Sequence, residues 1–378
     1  MTTIYLIAGE QSGDVLGGRL MRALAAARPD LRFAGIGGAN MAAEGLESLF
    51  PMRELALMGL LEVLPQLHRL RARLGQTVAD IAARRPDVVV TIDAPSFTHR
   101  VLRRIAPLGI PRAHYVAPQV WAWREGRVKH YPGLWERLLC LLPFEPDFFA
   151  RHGLPAAFVG HPVLESGADT GDAARFRARH GIPREARIVT FMPGSRRTEV
   201  SRLLPVLAAT LQRLPAGIVP VVPIAAPVAE AVRAGAADWR VPPILVTETA
   251  EKHDAFAASA AALTKSGTST LELALAGVPM VVAYRVNPVS AAIARRLIKV
   301  RYASILNIIA EREVVPERLQ QDCTPDELAR VLRDLLDDPA EAAAQRSAVA
   351  GPLASLRPAG GVLPSEAAAR EVLSLLPG

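Results

Sequence analysis

Short apolar, β-branched runs alternate along this chain with stretches whose apolar residues recur at helical spacing. In the first part the runs are Ile4–Ala8, Leu31–Ile36, Asp87–Ile92, Arg112–Val116 and Leu138–Leu142. A second series comprises Ile188–Met192, Ile218–Val222, Ile244–Val246, Ala260–Leu263 and Met280–Ala283. The alternation predicts βα units and parallel sheets. Between the two series, Gly167–Ala174 turns small and polar and marks a domain boundary. The pattern therefore predicts an α/β chain of two doubly wound domains, residues 1–165 and 175–345, followed by an Ala/Leu-rich helical tail, 346–378, that packs back across them.

Composition narrows the class. A chain of 378 residues with 50% hydrophobic content has enough apolar surface for two cores and is not mainly disordered. No segment reaches the ~18 apolar residues of a membrane span, and the longest candidate, 217–229, is broken by Pro220, Pro223 and Pro227. The first residues, Met1–Ala8, run straight into a strand without a basic leader. A soluble or peripheral protein is expected. The net charge of +7 suits an anionic membrane surface or phosphorylated substrates; the arginines are scattered through helices rather than gathered in a tail, which argues against nucleic acid. Cys140 and Cys323 lie far apart with no Cys/His cluster nearby, so neither a disulfide framework nor a cysteine metal site is expected, and a reducing cytoplasm fits. The histidines show no ligand spacing, so no protein-bound metal is expected either.

Chemistry concentrates where apolar runs end. Lys265-Ser266-Gly267-Thr268-Ser269-Thr270-Leu271-Glu272 places small hydroxyl residues and a glycine at the opening of a helix, where backbone N–H groups and the helix dipole receive a diphosphate. Glu272, one turn on, is positioned to accept from ribose hydroxyls; plain helix capping explains the motif equally well. Pro193-Gly194-Ser195-Arg196 repeats the device at the first strand of the second domain, with Gly194 allowing close backbone approach and Arg196 a fork-shaped donor for phosphate. The turn Gly9-Glu10-Gln11-Ser12-Gly13-Asp14 differs, because its two carboxylates would repel a pyrophosphate. It suits hydroxyl recognition or acid–base work, unless Asp14 serves only the helix dipole.

Asp93-Ala94-Pro95 ends the run Val88–Ile92, at the strand edge where α/β folds bind ligands, and offers a carboxylate as general base for a hydroxyl or as a helix cap. Trp121, Trp123 and Arg124, followed by Arg127, Lys129 and His130, combine aromatic faces with cations suited to a sugar or phosphate, or to packing beneath a loop. Met58 to Arg71 is more apolar than one helix face requires and ends in Arg69, Arg71 and Arg73, as in a membrane-interface helix or a buried helix with a basic edge.

Taken in order, Gly9–Asp14, Gly35-Ile36-Gly37-Gly38, Met58-Gly59 with Glu62-Val63-Leu64, Asp93-Ala94-Pro95, Tyr115 through Arg124, Leu142-Pro143-Phe144-Glu145, Phe158-Val159-Gly160-His161, Pro193-Gly194-Ser195-Arg196, Ser266-Gly267-Thr268 and Pro279–Val282 resemble the lipid-A-disaccharide synthase family over residues 4 to 330. The resemblance implies the GT-B fold, two Rossmann-like domains facing a central cleft. It implies an inverting transfer from UDP-2,3-diacylglucosamine to 2,3-diacylglucosamine 1-phosphate that forms a β-1,6-linked disaccharide and releases UDP, without a cofactor. The setting it implies is peripheral, on the cytoplasmic face of the inner membrane of Gram-negative bacteria, with a homodimer open. Carried over by position, Asp93 is the base, Glu10 and Ser12 lie in the acceptor-side turn, and Gly194, Ser195, Arg196, Ser266, Gly267, Thr268, Glu272 and Asn307 hold or approach the UDP. Leu306 and Glu311 stand where the family usually has proline and glycine, and Lys265 where it has a small uncharged residue. Another GT-B UDP-sugar enzyme, an epimerase among them, and a non-catalytic nucleotide-binding protein are the alternative readings.

Overall fold

The structure is a computed structural model that describes residues 1–55, 63–287 and 300–376. Two compact units divide the chain, Met1–Pro162 with Leu356–Gly378, and Val163–Ser355. Residues 58–62 of the apolar segment singled out above lie outside the described residues. No helix among the described residues is long and apolar enough to cross a membrane.

The first unit is built on six parallel strands, β1 (Thr3–Ala8), β2 (Arg32–Ile36), β3 (Val88–Ile92), β4 (Arg112–Tyr115), β5 (Arg137–Cys140) and β6 (Ala156–Phe158), in the order β2-β1-β3-β4-β5-β6. Its helices are α1 (Gln11–Ala27), α2 (Ala39–Ala43), α3 (Val63–Arg84), α4 (Pro95–Ile105), α5 (Val120–Trp123) and α6 (Glu145–Ala150). Side chains of a strand alternate between faces, and both faces are covered. Tyr5, Ile7 and Val89 pack with Leu74 of α3 and Phe97 and Leu102 of α4. Ile4, Leu6 and Val90 pack on the other side with Leu16, Leu20 and Leu24 of α1.

In the second unit the strands are β7 (Arg187–Met192), β8 (Ile218–Pro223), β9 (Ile244–Val246), β10 (Ser259–Thr264), β11 (Met280–Tyr284) and β12 (Glu317–Leu319), again all parallel, in the order β12-β11-β10-β7-β8-β9. Around them lie α7 (Ala173–His180), α8 (Arg197–Leu211), α9 (Ala229–Ala236), α10 (Thr249–Ala258), α11 (Thr268–Leu275), α12 (Ile305–Ala310), α13 (Pro325–Asp337) and α14 (Pro339–Ala354). Val189, Phe191 and Leu263 face Leu203 and Leu207 of α8 and Leu332 of α13, while Ile188, Val221 and Val246 face Phe176 of α7 and Ala255 of α10.

The last helix, α15 (Pro364–Leu373), returns to the first unit, where Ala368, Ala369 and Val372 join the core beside α1. The return begins at Leu356, whose carbonyl accepts the His161 N–H at 3.0 Å. Residues 346–354 complete α14, and Gln345 on that helix ties it to the sheet by accepting from Met280 N–H at 2.6 Å and donating to Met280 O at 3.0 Å.

Candidate active site

In the first sheet the chain reverses direction between β1 and β3, and the crevice outside the carboxyl ends of such a pair is where doubly wound sheets take ligands. Ala8 of β1 pairs in register with Ile92 of β3, so the Gly9–Ser12 and Asp93–Ala94 turns emerge side by side. Gly9 is required there, because a Cβ on it would stand 2.6 Å from the Ala94 Cβ. Asp93 and Ala94 both adopt the left-handed region, at φ 50° and 46°, and Val116 after β4 does so at φ 79°. Such conformations in non-glycine residues cost about 1–3 kcal/mol each and persist only when the surroundings fix them. Here Asp93 N–H donates to Tyr115 O at 2.9 Å, and the Thr98 hydroxyl donates to Asp93 O at 2.8 Å.

Burial raises the Asp93 carboxyl above the usual carboxylate range, opposed only in part by the Ala94 N–H. A partly exposed carboxylate with a raised proton affinity, at a strand edge, can take a proton from a bound hydroxyl. Glu10 and Ser12 are exposed at the opening of α1. Asp14 is not a third acidic group of this surface. It is buried and accepts from Gly38 N–H at 2.7 Å, Asn40 N–H at 3.0 Å, Asn40 Nδ2 at 2.8 Å and Met41 N–H at 3.1 Å, so it caps α2 rather than serving its own helix. The acidity of the Gly9–Asp14 turn therefore reduces outwardly to Glu10.

Glu145, quoted in a motif but given no role from sequence, organises the neighbouring strand edge. Its buried carboxylate accepts from Trp121 Nε1 at 3.0 Å and from the N–H groups of Leu141 and Leu142 at 3.0 and 2.9 Å, joining the segment after β4 to the end of β5. Burial pushes its pKa up to about 7. The sequence signal was an acid in the first turn of a helix that opens directly after a strand. Trp123 is 41% exposed and carries the Arg124 guanidinium 4.0 Å above its ring, an aromatic–cation surface beside this edge.

The second sheet reverses between β7 and β10, where Met192 pairs with Thr264 and Lys265 N–H donates to Met192 O at 3.2 Å. Both glycine turns of this unit flank that reversal and open on one cavity of about 440 Å³, lined by Gly194, Ser195, Thr268 and Ser269 together with Lys252 and Lys265. Glu199, missed from sequence, sits at this mouth. Its Oε2 accepts from Ser195 N–H at 3.1 Å and Arg196 N–H at 3.4 Å, its Oε1 lies 3.4 Å from the Arg196 guanidinium, and Lys265 Nζ is 3.9 Å away. Gly194, at φ 114°, leaves room for it, since a Cβ there would meet Glu199 Oε2 at 2.5 Å. Glu272 pairs with Lys252 at 2.9 Å, a partner no local pattern indicates, because twenty residues and the strand β10 separate the two in sequence. The exposed Arg196 side chain and the N-terminus of α11 are thus brought together with two further lysines.

Two residues expected at the donor contribute differently. Ser266 Oγ donates to Ala303 O at 2.7 Å, tying the turn to the segment before α12. Asn307, expected near the UDP, is fully buried and uses its amide within its own unit. Its Oδ1 accepts from Val314 and Val315 N–H at 2.8 and 2.9 Å, and its Nδ2 donates to Val315 O at 2.8 Å and Glu317 Oε1 at 2.7 Å. A primary amide has two donors and one oxygen with two lone pairs, and all are used. Glu317 in turn accepts from Ala303 and Ser304 N–H at 2.8 and 2.7 Å, so Asn307 supports Ser266 through Glu317 and Ala303.

The chain is similar to known proteins in fold and in sequence. The chain superposes on the UDP-GlcNAc 2-epimerase from Neisseria meningitidis bound to UDP-GlcNAc with a TM-score of 0.66 at 11% identity, covering 99% of both chains. It superposes on MurG from Acinetobacter baumannii with a TM-score of 0.57 at 12% identity, covering 99% of this chain and all of the other. These likenesses show the two-domain GT-B fold. The lipid-A-disaccharide synthetase family matches residues 4–353. The lipid-A-disaccharide synthase of Granulibacter bethesdensis is 57% identical over 99% of this chain and 98% of its own length, and that of Rhodospirillum centenum 53% identical over 99% and 94%. The chain belongs to the lipid-A-disaccharide synthase family, a family of glycosyltransferases.

Proposed function

We propose that the chain transfers the sugar of UDP-2,3-diacylglucosamine to the 6-hydroxyl of 2,3-diacylglucosamine 1-phosphate, giving a β-1,6-linked disaccharide 1-phosphate and UDP. The observation that carries the reading is the Asp93 turn, a strained, partly buried carboxylate with raised proton affinity where the first sheet reverses. Asp93 takes the hydroxyl proton as the acceptor oxygen bonds to the anomeric carbon. The bond from that carbon to the diphosphate oxygen breaks, the electron pair leaves with UDP, and a single displacement inverts the centre. Glu10 and Ser12, on the adjacent turn, orient the acceptor.

On the donor side, the α11 N-terminus around Gly267 and Thr268, with Lys265 and Arg196, receives the diphosphate charge that grows on departure. Gly194 and Ser195 form the facing wall, and Glu272, whose Oε1 is held by Lys252, is the residue assigned to the ribose hydroxyls. These side chains supply the positive charge the leaving group needs, so the reading assigns no cofactor. The exposed Trp123–Arg124 stack with Arg127 and Lys129 supports a peripheral position on an anionic membrane surface, where diacylated substrates reside.

The test is incubation of the purified protein with both lipids in mixed micelles and mass detection of disaccharide and UDP. Asp93→Asn is expected to lower turnover by about 10²–10⁴-fold, the range for loss of a general base. Because Asp93 must be ionised to act, wild-type activity is expected to fall with pH at a point above the ordinary carboxylate range. Absence of product from the wild type, or full turnover by Asp93→Asn, refutes the reading.

A further inference from the structure

The first unit holds a groove of about 570 Å³ between α3 and α4, lined by none of the residues of the candidate site. Buried Leu74 forms its floor, and His68, Arg71, Arg100, Arg103 and Arg104 form its walls. The spacing is deliberate on both helices. Arg100, Arg103 and Arg104 stand at i, i+3 and i+4 on α4 and share one face, while His68 and Arg71 stand at i and i+3 on α3. Helix α4 contains no acid at all.

Counter-charges are missing where the groove needs them and present elsewhere. Arg73 and Arg84, also on α3, pair with Glu54 at 2.8 Å and Asp80 at 2.9 Å. None of the four groove arginines has a carboxylate partner among the described residues, and Arg103 reaches only the His130 carbonyl at 3.4 Å. Like charges at i and i+4 on a helix repel, so two facing basic rows with no acid partner among the described residues hold a standing repulsion that an anion removes. Guanidinium groups present planar forks matched to phosphate oxygens. The walls offer no ring except the His68 imidazole, so nothing there stacks a nucleobase, and the volume suits a headgroup rather than a duplex.

We propose that the α3–α4 groove is a binding site for a phosphomonoester. A monoester presents three terminal oxygens and nearly two charges at neutral pH, against one for a phosphodiester, and so makes fuller use of four guanidinium groups. None of the groove residues is among those assigned to sugar transfer; Arg100, Arg103 and Arg104 lie about 7.5, 12 and 13.5 Å along the α4 axis from Pro95, at 1.5 Å per residue. The site also differs from diffuse attraction to a charged surface, because it discriminates between phosphate types.

The test combines a soluble probe with two kinds of vesicle. Glycerol 3-phosphate is titrated calorimetrically into wild type, into Arg100→Gln/Arg104→Gln, and into Arg333→Gln/Arg346→Gln, which removes the same charge from exposed positions of the second unit. Flotation is measured with vesicles containing phosphatidic acid or phosphatidylglycerol, adjusted to equal surface potential. The groove variant is expected to bind about tenfold or more weakly, as loss of two charge-assisted contacts implies, while the control variant matches wild type and both keep the wild-type melting profile. Groove-dependent binding of glycerol 3-phosphate alone identifies a soluble phosphate as the source. Groove-dependent preference for phosphatidic acid vesicles identifies a lipid headgroup. Equal flotation with both vesicles together with no binding of glycerol 3-phosphate, equal weakening by the control variant, or no binding of either probe overturns the proposal.

Discussion

Replacing Asn307 separates a ligand contact from a structural support. In Asn307→Ala the buried N–H groups of Val314 and Val315 lose their shared acceptor, the buried Val315 O loses a donor, and the half-buried Glu317 Oε1 loses another. A buried polar group left unpaired costs about 1–3 kcal/mol, and two stranded N–H groups alone put the loss at about 2–6 kcal/mol. That is a large part of the 5–15 kcal/mol that holds a typical domain folded. Amide exchange in β7, β10 and β11 reads it directly, as faster opening of the second unit's core with the first unit unaffected. Asn307→Asp, of equal size, sets a carboxylate oxygen against the Val315 carbonyl and Glu317. Its folded pKa is then raised above the unfolded value, so its penalty is full at high pH and relieved as pH falls through that raised value. The reasoning is refuted if Asn307→Ala keeps core exchange within about 1 kcal/mol of wild type while the KM for the donor rises, because that pairing belongs to a residue in contact with ligand.

Other expectations follow from single features of the two units. Glu145 has its folded pKa raised to about 7 by burial, so its ionisation weakens the fold at high pH and that loss is recovered as pH falls from about 7 toward 4.5; in Glu145→Gln, urea titrations of the first unit should show this part of the pH dependence flattened. Gly9→Ala drives a methyl into Ala94 and should cost about 1–3 kcal/mol of stability by overpacking, with turnover falling more than donor binding because the displaced turn carries Asp93. Lys265→Ser should weaken UDP binding by about tenfold at low salt, with the difference shrinking as salt screens the charge; UDP affinity equal to wild type at every ionic strength would remove Lys265 from the donor site.

Ten of the twelve strands among the described residues are legible in the sequence because each sits in an apolar run, several of them β-branched, that recurs between helical stretches. The two that are not, Ala156–Phe158 and Glu317–Leu319, are three-residue edge strands whose residues carry little strand signal and owe their state to the neighbours β5 and β11. Asp93 is readable as a carboxylate at a strand end, but its left-handed backbone is not, nor is the close approach of Ala94 to Gly9 in the turn after β1. Asp14 and Asn307 show the limit most clearly. Both read as polar residues beside ligand motifs, yet each is taken up by backbone groups distant in sequence, the N-terminus of α2 at Gly38–Met41 or the segment Val314–Val315, whose path no local pattern encodes. Glu199 carried a legible signal, an acid at the third position of a helix, whereas the Lys252–Glu272 pair required knowledge of the sheet order.

The return of α15 to the first unit sets an order of events during synthesis. The strands and helices up to Pro162 leave the ribosome first, but the surface of α1 and the core positions that Ala368, Ala369 and Val372 fill stay uncovered until roughly 200 further residues have been made. At about 5–20 residues per second that is a delay of roughly 10–40 s, during which the second unit, contiguous from Val163 to Ser355, has all its strands and can close first. The earlier-made half is thus the later to be completed, and loss of the last twenty or so residues falls on the unit that carries Asp93 rather than on the one nearer to them in sequence.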